Sequence, residues 1–250
     1  MEIQSPYVMF LGDAADDLAI KVARGIMHWR PDICLGQLRL PGCKADLGLP
    51  EMDLNAAVHA GCRTLVVGVA NRGGKIADSW GDVLRDAAAR GLHIASGLHE
   101  MLHDVPGLAQ LAKTHGAALH DVRHWQGKLD VASGAPRRGN RLLTVGTDCS
   151  VGKMYTSLAI HQELQNRGIA CDFRATGQTG IFIAQAGISV DGVIADFIAG
   201  AAESLTPSTD ASHWDIVEGQ GSLNHLSFSG VTLGLLHGTR PNCMAQHQTI

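Results

Sequence analysis

The residues most able to do chemistry form a glycine-rich loop, Gly-Thr-Asp-Cys-Ser-Val-Gly-Lys, at residues 146–153. A short apolar run at residues 142–145 precedes the loop, and a helical pattern that continues to about Arg167 follows it. In this order of strand, loop and helix, backbone N–H groups and the start of a helix point at one place, and a lysine ammonium adds positive charge. The pattern therefore predicts a binding site for a di- or triphosphate. The residues that we expect to line it are Gly146, Thr147, Asp148, Cys149, Ser150, Val151, Gly152, Lys153 and Met154.

This loop departs from the usual phosphate loop in two ways. Gly146 and Gly152 enclose five residues where four are usual, and this longer form resembles the loop of dethiobiotin synthetase and its relatives. Met154 stands where a Ser or Thr hydroxyl normally holds Mg²⁺. A loop that keeps its lysine and lacks this hydroxyl can bind a diphosphate without hydrolysing it, so we expect no metal.

Two further residues are candidate proton-transfer groups. Glu218 closes an apolar run and is followed by Gly-x-Gly, which predicts a carboxylate at a strand tip near the phosphate loop. Such a carboxylate can hold Mg²⁺ or act as a general base, although it can also serve only as the ion-pair partner of Lys153. His237 follows a predicted strand at residues 231–236 and is an acid/base candidate, the alternative being a hydrogen-bonded structural histidine. As catalytic residues we predict Glu218 first and His237 second.

Polar loops after two other predicted strands are candidates for substrate binding. In the turn at residues 71–74, glycines allow close backbone approach and an arginine could bind a carboxylate or phosphate, unless it merely faces water. A second loop, at residues 174–180, is rich in Thr, Gln and Gly. The predicted substrate-binding residues are Asn71, Arg72, Arg174, Thr176, Gln178 and Thr179.

Cys149 has two interpretations. A thiol in a loop before a helix can have a lowered pKa and carry an acyl group. The alternative, which we favour, is a small packed loop residue.

Alternating strand and helix patterns must position these residues. Up to residue 125, apolar runs alternate with helical spacing, which predicts βαβ units and a parallel sheet with helices on both faces. There is no G-x-G-x-x-G, so we do not predict a nicotinamide cofactor. Residues 126–140 are rich in Gly, Ser and Pro and predict a solvated linker that includes Arg137 and Arg138. A second domain follows at residues 141–250, with a predicted strand at 190–194. Its last ten residues carry no pattern, so the domain looks cut short.

Composition excludes several classes of protein. The chain has 250 residues, 45% apolar content and a formal net charge of -4, and its basic residues are scattered, which argues against nucleic-acid binding. Six cysteines without C-x-x-C spacing predict reduced thiols and no structural metal. No apolar segment approaches about 18 residues and no leader is recognised, so we expect a cytoplasmic protein that binds no membrane.

Long runs of this sequence resemble a family of two-domain P-loop proteins that long carried only an uncharacterised-domain label. Its bacterial members include D-glutamate N-acetyltransferases. The runs that carry the resemblance are residues 36–50, 69–74, 95–99, 146–153, 172–180 and 218–222.

The resemblance implies an α/β protein with a Rossmann-like parallel-sheet domain at residues 1–125 and a P-loop NTPase-like doubly wound domain at residues 141–250. It also implies acetyl transfer from acetyl-CoA to the amine of D-glutamate, in D-amino-acid breakdown. Similar proteins continue well beyond the position of Pro241. We further expect a homo-oligomer that acts on a small molecule.

Two other functions stay open. A Mg-ATP-dependent ligase or kinase like dethiobiotin synthetase is favoured by the loop spacing and disfavoured by Met154. The other is a non-catalytic protein that only binds a nucleotide or CoA. The acceptor identity rests on the resemblance, because no residue spacing encodes the chirality of an amino acid.

Overall fold

Each half of the chain builds its own parallel sheet. The computed structural model describes residues 2–70, 73–125 and 127–247. These residues divide into unit 1, which ends at Arg123, and unit 2, which begins at His124. The predicted domain boundaries, at residues 125 and 141, stay a prediction.

Unit 1 contains a five-stranded sheet with the order β2-β1-β3-β4-β5, and every neighbouring pair is parallel. Strands β1 and β3 are buried at every residue, which is why they read as continuous apolar runs. Phe10 of β1 packs edge-to-face on Trp80 at 5.6 Å between ring centroids. The strands are β1 (Tyr7–Gly12), β2 (Cys34–Arg39), β3 (Thr64–Val67), β4 (His93–Ser96) and β5 (Leu119–Asp121); the helices are α1 (Lys21–Trp29), α2 (Leu54–His59), α3 (Asp78–Ala89) and α4 (Leu108–His115).

Unit 2 contains a four-stranded sheet with the order β7-β8-β6-β9, again parallel throughout. Because all four strands run the same way, the loops that follow them meet at one edge of the sheet. The strands are β6 (Asn140–Gly146), β7 (Cys171–Arg174), β8 (Trp214–Val217) and β9 (Cys243–His247); the helices are α5 (Lys153–Asn166), α6 (Gln178–Ala184), α7 (Ala195–Leu205) and α8 (Ser229–Thr239). The predicted α/β class with parallel sheets is confirmed.

The strand predicted at residues 231–236 is wrong, because this segment lies inside helix α8. A short apolar run cannot be told from a buried helix by periodicity alone. In the structure the buried residues recur at helical spacing, and glycines on that face allow α8 to approach α7 closely. A Cβ on Gly238 would lie 2.1 Å from the carbonyl oxygen of Ala199.

Two shorter segments also differ from expectation. Residues 190–194, predicted as a strand, contain a 3-10 turn at Val190–Gly192. The last ten residues, where no element was predicted, include strand β9. Most of the β9 side chains are exposed, so the strand leaves no apolar pattern, and its backbone pairing with β6 defines it.

Arg137 does not lie in a solvated linker as predicted. Its guanidinium is half-buried and donates hydrogen bonds to the carbonyls of Glu203 at 3.0 Å and Thr206 at 2.8 Å, at the end of α7. It also donates to the carbonyls of Gly238 at 2.6 Å and Thr239 at 3.2 Å, at the end of α8. The last carbonyls of a helix have no partner within the helix, so one arginine here satisfies the ends of two helices.

No helix among residues 2–70, 73–125 and 127–247 combines the length and the apolar content needed to cross a membrane.

Candidate functional site

The glycine-rich loop connects β6 to α5. Ser150 has φ +58° and Gly152 has φ +106°, so two residues within three positions adopt left-handed conformations. Left-handed residues of this kind occur in the loops where successive backbone N–H groups bind an anion. Gly146 has no room for a side chain, since a Cβ there would lie 2.6 Å from Val151. The loop ends at the start of a 14-residue helix, which is where the predicted phosphate site requires it to end.

Lys153 supplies the positive charge of this loop. Its side chain is only 7% exposed, and its ammonium donates a hydrogen bond to the carbonyl of Asp148 at 2.9 Å. Burial lowers the pKa of Lys153, and nearby acidic groups oppose that shift. A phosphate group entering the loop would raise this pKa again, because it favours the charged ammonium.

The hydroxyls near the start of α5 are used within their own helix. The Thr156 hydroxyl donates to the carbonyl of Gly152 at 3.1 Å, and the Ser157 hydroxyl donates to the carbonyl of Met154 at 2.9 Å. Neither replaces the metal-binding hydroxyl that Met154 lacks.

Glu218 lies directly after β8 and is almost fully buried, at 2% exposure. One carboxylate oxygen accepts hydrogen bonds from the backbone N–H groups of Thr176 at 2.8 Å and Gly177 at 2.9 Å. Burial raises the pKa of Glu218 to about 7, although these two N–H groups favour the charged form. Gly180 leaves room for the carboxylate, since a Cβ there would lie 2.3 Å from it. Glu218 can therefore gain or lose a proton near neutral pH.

The segment after Glu218 is bonded to the phosphate loop. Gly219 N–H donates to the Thr144 hydroxyl at 2.8 Å, and the Ser222 hydroxyl donates to the carbonyl of Thr147 at 2.8 Å. Within the described part of the chain, Lys153 and Glu218 form no ion pair, because the ammonium points to the loop backbone. The structure thus brings Glu218 and the phosphate loop to the same edge of the unit 2 sheet.

The predicted substrate-binding residues have different surroundings. The guanidinium of Arg174 is bonded to Asp215 at 2.7 Å and to Asp172 at 2.8 Å. Thr176 is fully buried, and its hydroxyl donates to the carbonyl of Glu218 at 2.6 Å, so it positions the carboxylate.

The other predicted substrate-binding residues divide into two pairs. Gln178 and Thr179 begin α6 and are half-buried. Asn71 and Arg72 lie outside the described residues.

His237 does not lie at a strand tip, and that expectation is wrong. It is exposed in the last turn of α8, which runs antiparallel to the strands. Just beyond it, the carbonyl of Arg240 accepts from the Arg141 side chain at 3.3 Å, and Asn242 accepts from the Arg141 N–H at 3.0 Å. Arg141 lies at the start of β6 and the phosphate loop follows the end of β6, so His237 lies at the opposite edge of the sheet.

Cys149 is half-buried in the phosphate loop, and its thiol donates to the carbonyl of Gly221 at 3.8 Å. This contact fits the packing interpretation of Cys149.

No pattern in the sequence indicates a role for His247, the last residue of β9. It pairs with Gly146, and its carbonyl accepts from the Thr147 N–H at 3.2 Å. Its imidazole Nε2 lies 3.7 Å from the position that a Cβ on Gly152 would occupy. An exposed imidazole therefore stands beside the phosphate loop.

Asp172, His213 and Asp215 form a possible metal-binding group among the described residues. Their donor atoms lie within 4.8 Å of one another. Both carboxylates already bind the guanidinium of Arg174, which supplies the positive charge that a metal would bring. The two aspartates are near the amino ends of β7 and β8, away from the phosphate loop.

The fold and site define a class: α/β proteins with two parallel-sheet units, one of which carries a phosphate-binding loop. Residues 38–125 match a domain of unknown function described as the Rossmann-like domain DUF1611_N, and residues 130–248 match the P-loop domain of DUF1611. The chain belongs to the DUF1611 family. The predicted family and its two domain types are confirmed.

The proteins that resemble this chain include two named relatives and a solved structure. A protein of Tritonibacter scottomollicae named D-glutamate N-acetyltransferase is 57% identical over 97% of this chain and 73% of its own length. A protein of Pseudoalteromonas sp. with the same name is 47% identical over 98% of this chain and 74% of its own length. The crystal structure of a DUF1611 family protein from Anabaena variabilis matches with a TM-score of 0.82 and 30% identity, over 98% of this chain and 74% of that one.

Proposed function

We propose that this protein is an N-acetyltransferase that moves the acetyl group of acetyl-CoA to the amine of D-glutamate. The observation that carries the proposal is the 57% identity, over 97% of the chain, to a protein named for this activity. The activity predicted from the sequence is therefore the one for which two close relatives are named.

The phosphate loop supports a CoA thioester as the acetyl donor. CoA carries a diphosphate, which fits a loop with the left-handed Ser150 and Gly152 and the positive charge of Lys153. No bond to phosphorus breaks in acetyl transfer, so the reaction does not need the metal-binding hydroxyl that Met154 replaces. We propose that residues 146–154 hold the donor.

Glu218 is our proposed general base. The ammonium of the acceptor loses one proton to Glu218, and its nitrogen then bonds to the acetyl carbon. The carbon–sulfur bond breaks, and the second proton that the nitrogen loses passes to the sulfur, so that CoA leaves as the thiol. A base with a pKa of about 7 suits this task at neutral pH. The position of His237 gives it no support as an alternative base.

The carboxylates of the acceptor need cationic or N–H partners. We propose Asn71, Arg72, Gln178 and Thr179 for this role. Arg174 and Thr176 remain on our proposed set, but in this structure they bind carboxylates of the chain itself.

A thiol-release assay tests the proposal directly. The purified chain is given acetyl-CoA and D-glutamate, with EDTA in one series and Mg²⁺-ATP in another. We expect metal-independent release of CoA, and the Lys153→Ala variant should lose it. Lys128→Ala is the matched control, because Lys128 is exposed in the segment before β6 and forms an ion pair with Asp130.

Other outcomes of the assay point to the two competing functions. ATP turnover that requires Mg²⁺, without CoA release, would instead identify a ligase or kinase, which the loop spacing favours. Binding of CoA or nucleotide without any turnover would identify a non-catalytic protein. We also propose that the protein works as a homo-oligomer in the cytoplasm.

A further inference from the structure

His247 occupies a fixed place at the phosphate loop. Strand β9 pairs with β6 over five positions and brings His247 opposite Gly146, where the strand ends and the loop begins. The hydrogen bond from the Thr147 N–H to the His247 carbonyl extends this pairing into the loop at 3.2 Å. The backbone of His247 is thus held by the same strand that carries the loop.

The imidazole of His247 faces the second glycine of the loop. Its Nε2 and Cε1 atoms lie 3.7 Å and 3.8 Å from the position of a Cβ on Gly152. Gly152 directly precedes Lys153, so the imidazole borders the part of the loop where the lysine enters. The side chain is exposed, which leaves it able to meet a ligand.

The charged groups around the loop indicate that a bound diphosphate needs a further hydrogen-bond donor besides Lys153. Lys153 begins α5 and is already bonded to the Asp148 carbonyl. Four acidic groups act on it: the Cys149 thiol and Asp148 in the loop, Asp191 in the 3-10 turn and Glu218 after β8. A diphosphate brings further negative charge into these surroundings, and one lysine balances only part of it.

We propose that His247 is a further ligand-binding residue of this loop, donating a hydrogen bond from its imidazole to a diphosphate. The inference deepens the proposed function, because it rests on that function for CoA as the source of the diphosphate. A nucleoside diphosphate carries the same group, and the test separates the two sources.

Calorimetric titration of the full chain with inorganic pyrophosphate, CoA and ADP, each with EDTA, tests the proposal. The ratio of wild-type to His247→Gln affinity isolates the contribution of the imidazole. A hydrogen bond to a charged group corresponds to about 10- to 100-fold in affinity, so we expect a ratio of this size for pyrophosphate.

The control is His237→Gln, another exposed histidine of unit 2 at the opposite sheet edge, which should follow the wild type. Circular dichroism checks that His247→Gln is folded, and His247→Asn serves as a second variant. If CoA shows the same ratio and ADP does not, CoA is the source; the reverse result identifies a nucleotide.

Equal affinities of wild type and His247→Gln for pyrophosphate would overturn the proposal, and so would a wild type that does not bind pyrophosphate. Failure of the proposed function looks different. In that case CoA is not released with D-glutamate, while the His247-dependent binding of pyrophosphate remains.

Discussion

Glu218 shows how one residue joins the site to the stability of the protein. Its carboxyl is buried and accepts hydrogen bonds from two backbone N–H groups of a loop that is more than 40 residues earlier in the chain. The sequence placed a carboxylate at a strand tip, but it could not show these bonds, because they depend on the pairing of β7 with β8. The raised pKa of Glu218 therefore came only from the structure.

Glu218→Gln should change how the free energy of unfolding depends on pH. The folded pKa of about 7 lies above the ordinary value of 4.5, so the contribution to stability is full below about pH 4.5 and is lost as the pH rises through 7. Each pKa unit corresponds to about 1.4 kcal/mol, so the wild type should lose a few kcal/mol that the variant keeps.

Urea unfolding at pH 5, 6.5 and 8 measures this difference. The gap between Glu218→Gln and the wild type should widen in favour of the variant as the pH rises. Glu163→Gln, on the exposed face of α5, should show no such trend. Parallel pH curves for Glu218→Gln and the wild type would contradict the burial argument.

At the scale of elements, α7 and α8 of unit 2 pack closely against each other. Gly238 faces the carbonyl of Ala199, and Gly234 faces the side chain of Ile198. Because glycine has no side chain at these positions, the two helix backbones lie closer together than a methyl group between them would allow. This packing explains why the apolar run at residues 231–236 is a helix.

Gly238→Ala should destabilise unit 2 by about 1–3 kcal/mol, the usual cost of overpacking, because the new methyl would lie 2.1 Å from a backbone oxygen. The same helix offers a matched control in Gly230→Ala, where a Cβ meets nothing within 4 Å. We expect that control to be neutral or stabilising by about 0.4–1 kcal/mol. Urea unfolding of both variants measures the difference, and equal stabilities would refute the packing account.

The elements that the sequence predicted well are those with two independent signals. Strand β6, the glycine loop and α5 were predicted together, because an apolar run, a special loop and a helical pattern agreed. Strand β9 was not predicted, because most of its side chains are exposed and only its backbone pairing with β6 defines it. His247 belongs to β9 and is not predicted for the same reason. The sequence therefore predicts the β6–α5 side of the phosphate loop and not the side that β9 forms.

At the scale of the whole molecule, the segment before β6 is part of unit 2. Arg137 binds carbonyls at the ends of α7 and α8, and Glu203 accepts hydrogen bonds from Ser133 at 2.6 Å. Composition predicted a solvated linker here, since Gly, Ser and Pro are typical of linkers. Composition alone does not show which carbonyls an arginine side chain will bind.

Arg137→Ala should lower the melting temperature of the protein. It removes a charged donor from four carbonyls, and hydrogen bonds to charged groups contribute about 1.5–3 kcal/mol. The neighbouring Arg138→Ala is the control, since Arg138 is exposed. Differential scanning calorimetry compares the two; an effect of Arg138→Ala as large as that of Arg137→Ala would contradict this role.

The proposed homo-oligomer has a simple test. Size-exclusion chromatography with light scattering should give a mass that is a multiple of the 26.4 kDa chain. A mass of one chain at every protein concentration would refute the oligomer and leave the proposed activity untouched.

The long sequence separation between Arg137 and its partners has a consequence for biosynthesis. Arg137 and the Gly238 carbonyl that it binds are 101 residues apart. One edge of β6 also has no partner strand until β9 has been synthesised. At about 5–20 residues per second, a ribosome takes roughly 5–20 s to make that stretch. Throughout this interval one edge of strand β6 in the nascent chain has no partner strand. The phosphate loop cannot be completed before His247 has emerged from the ribosome.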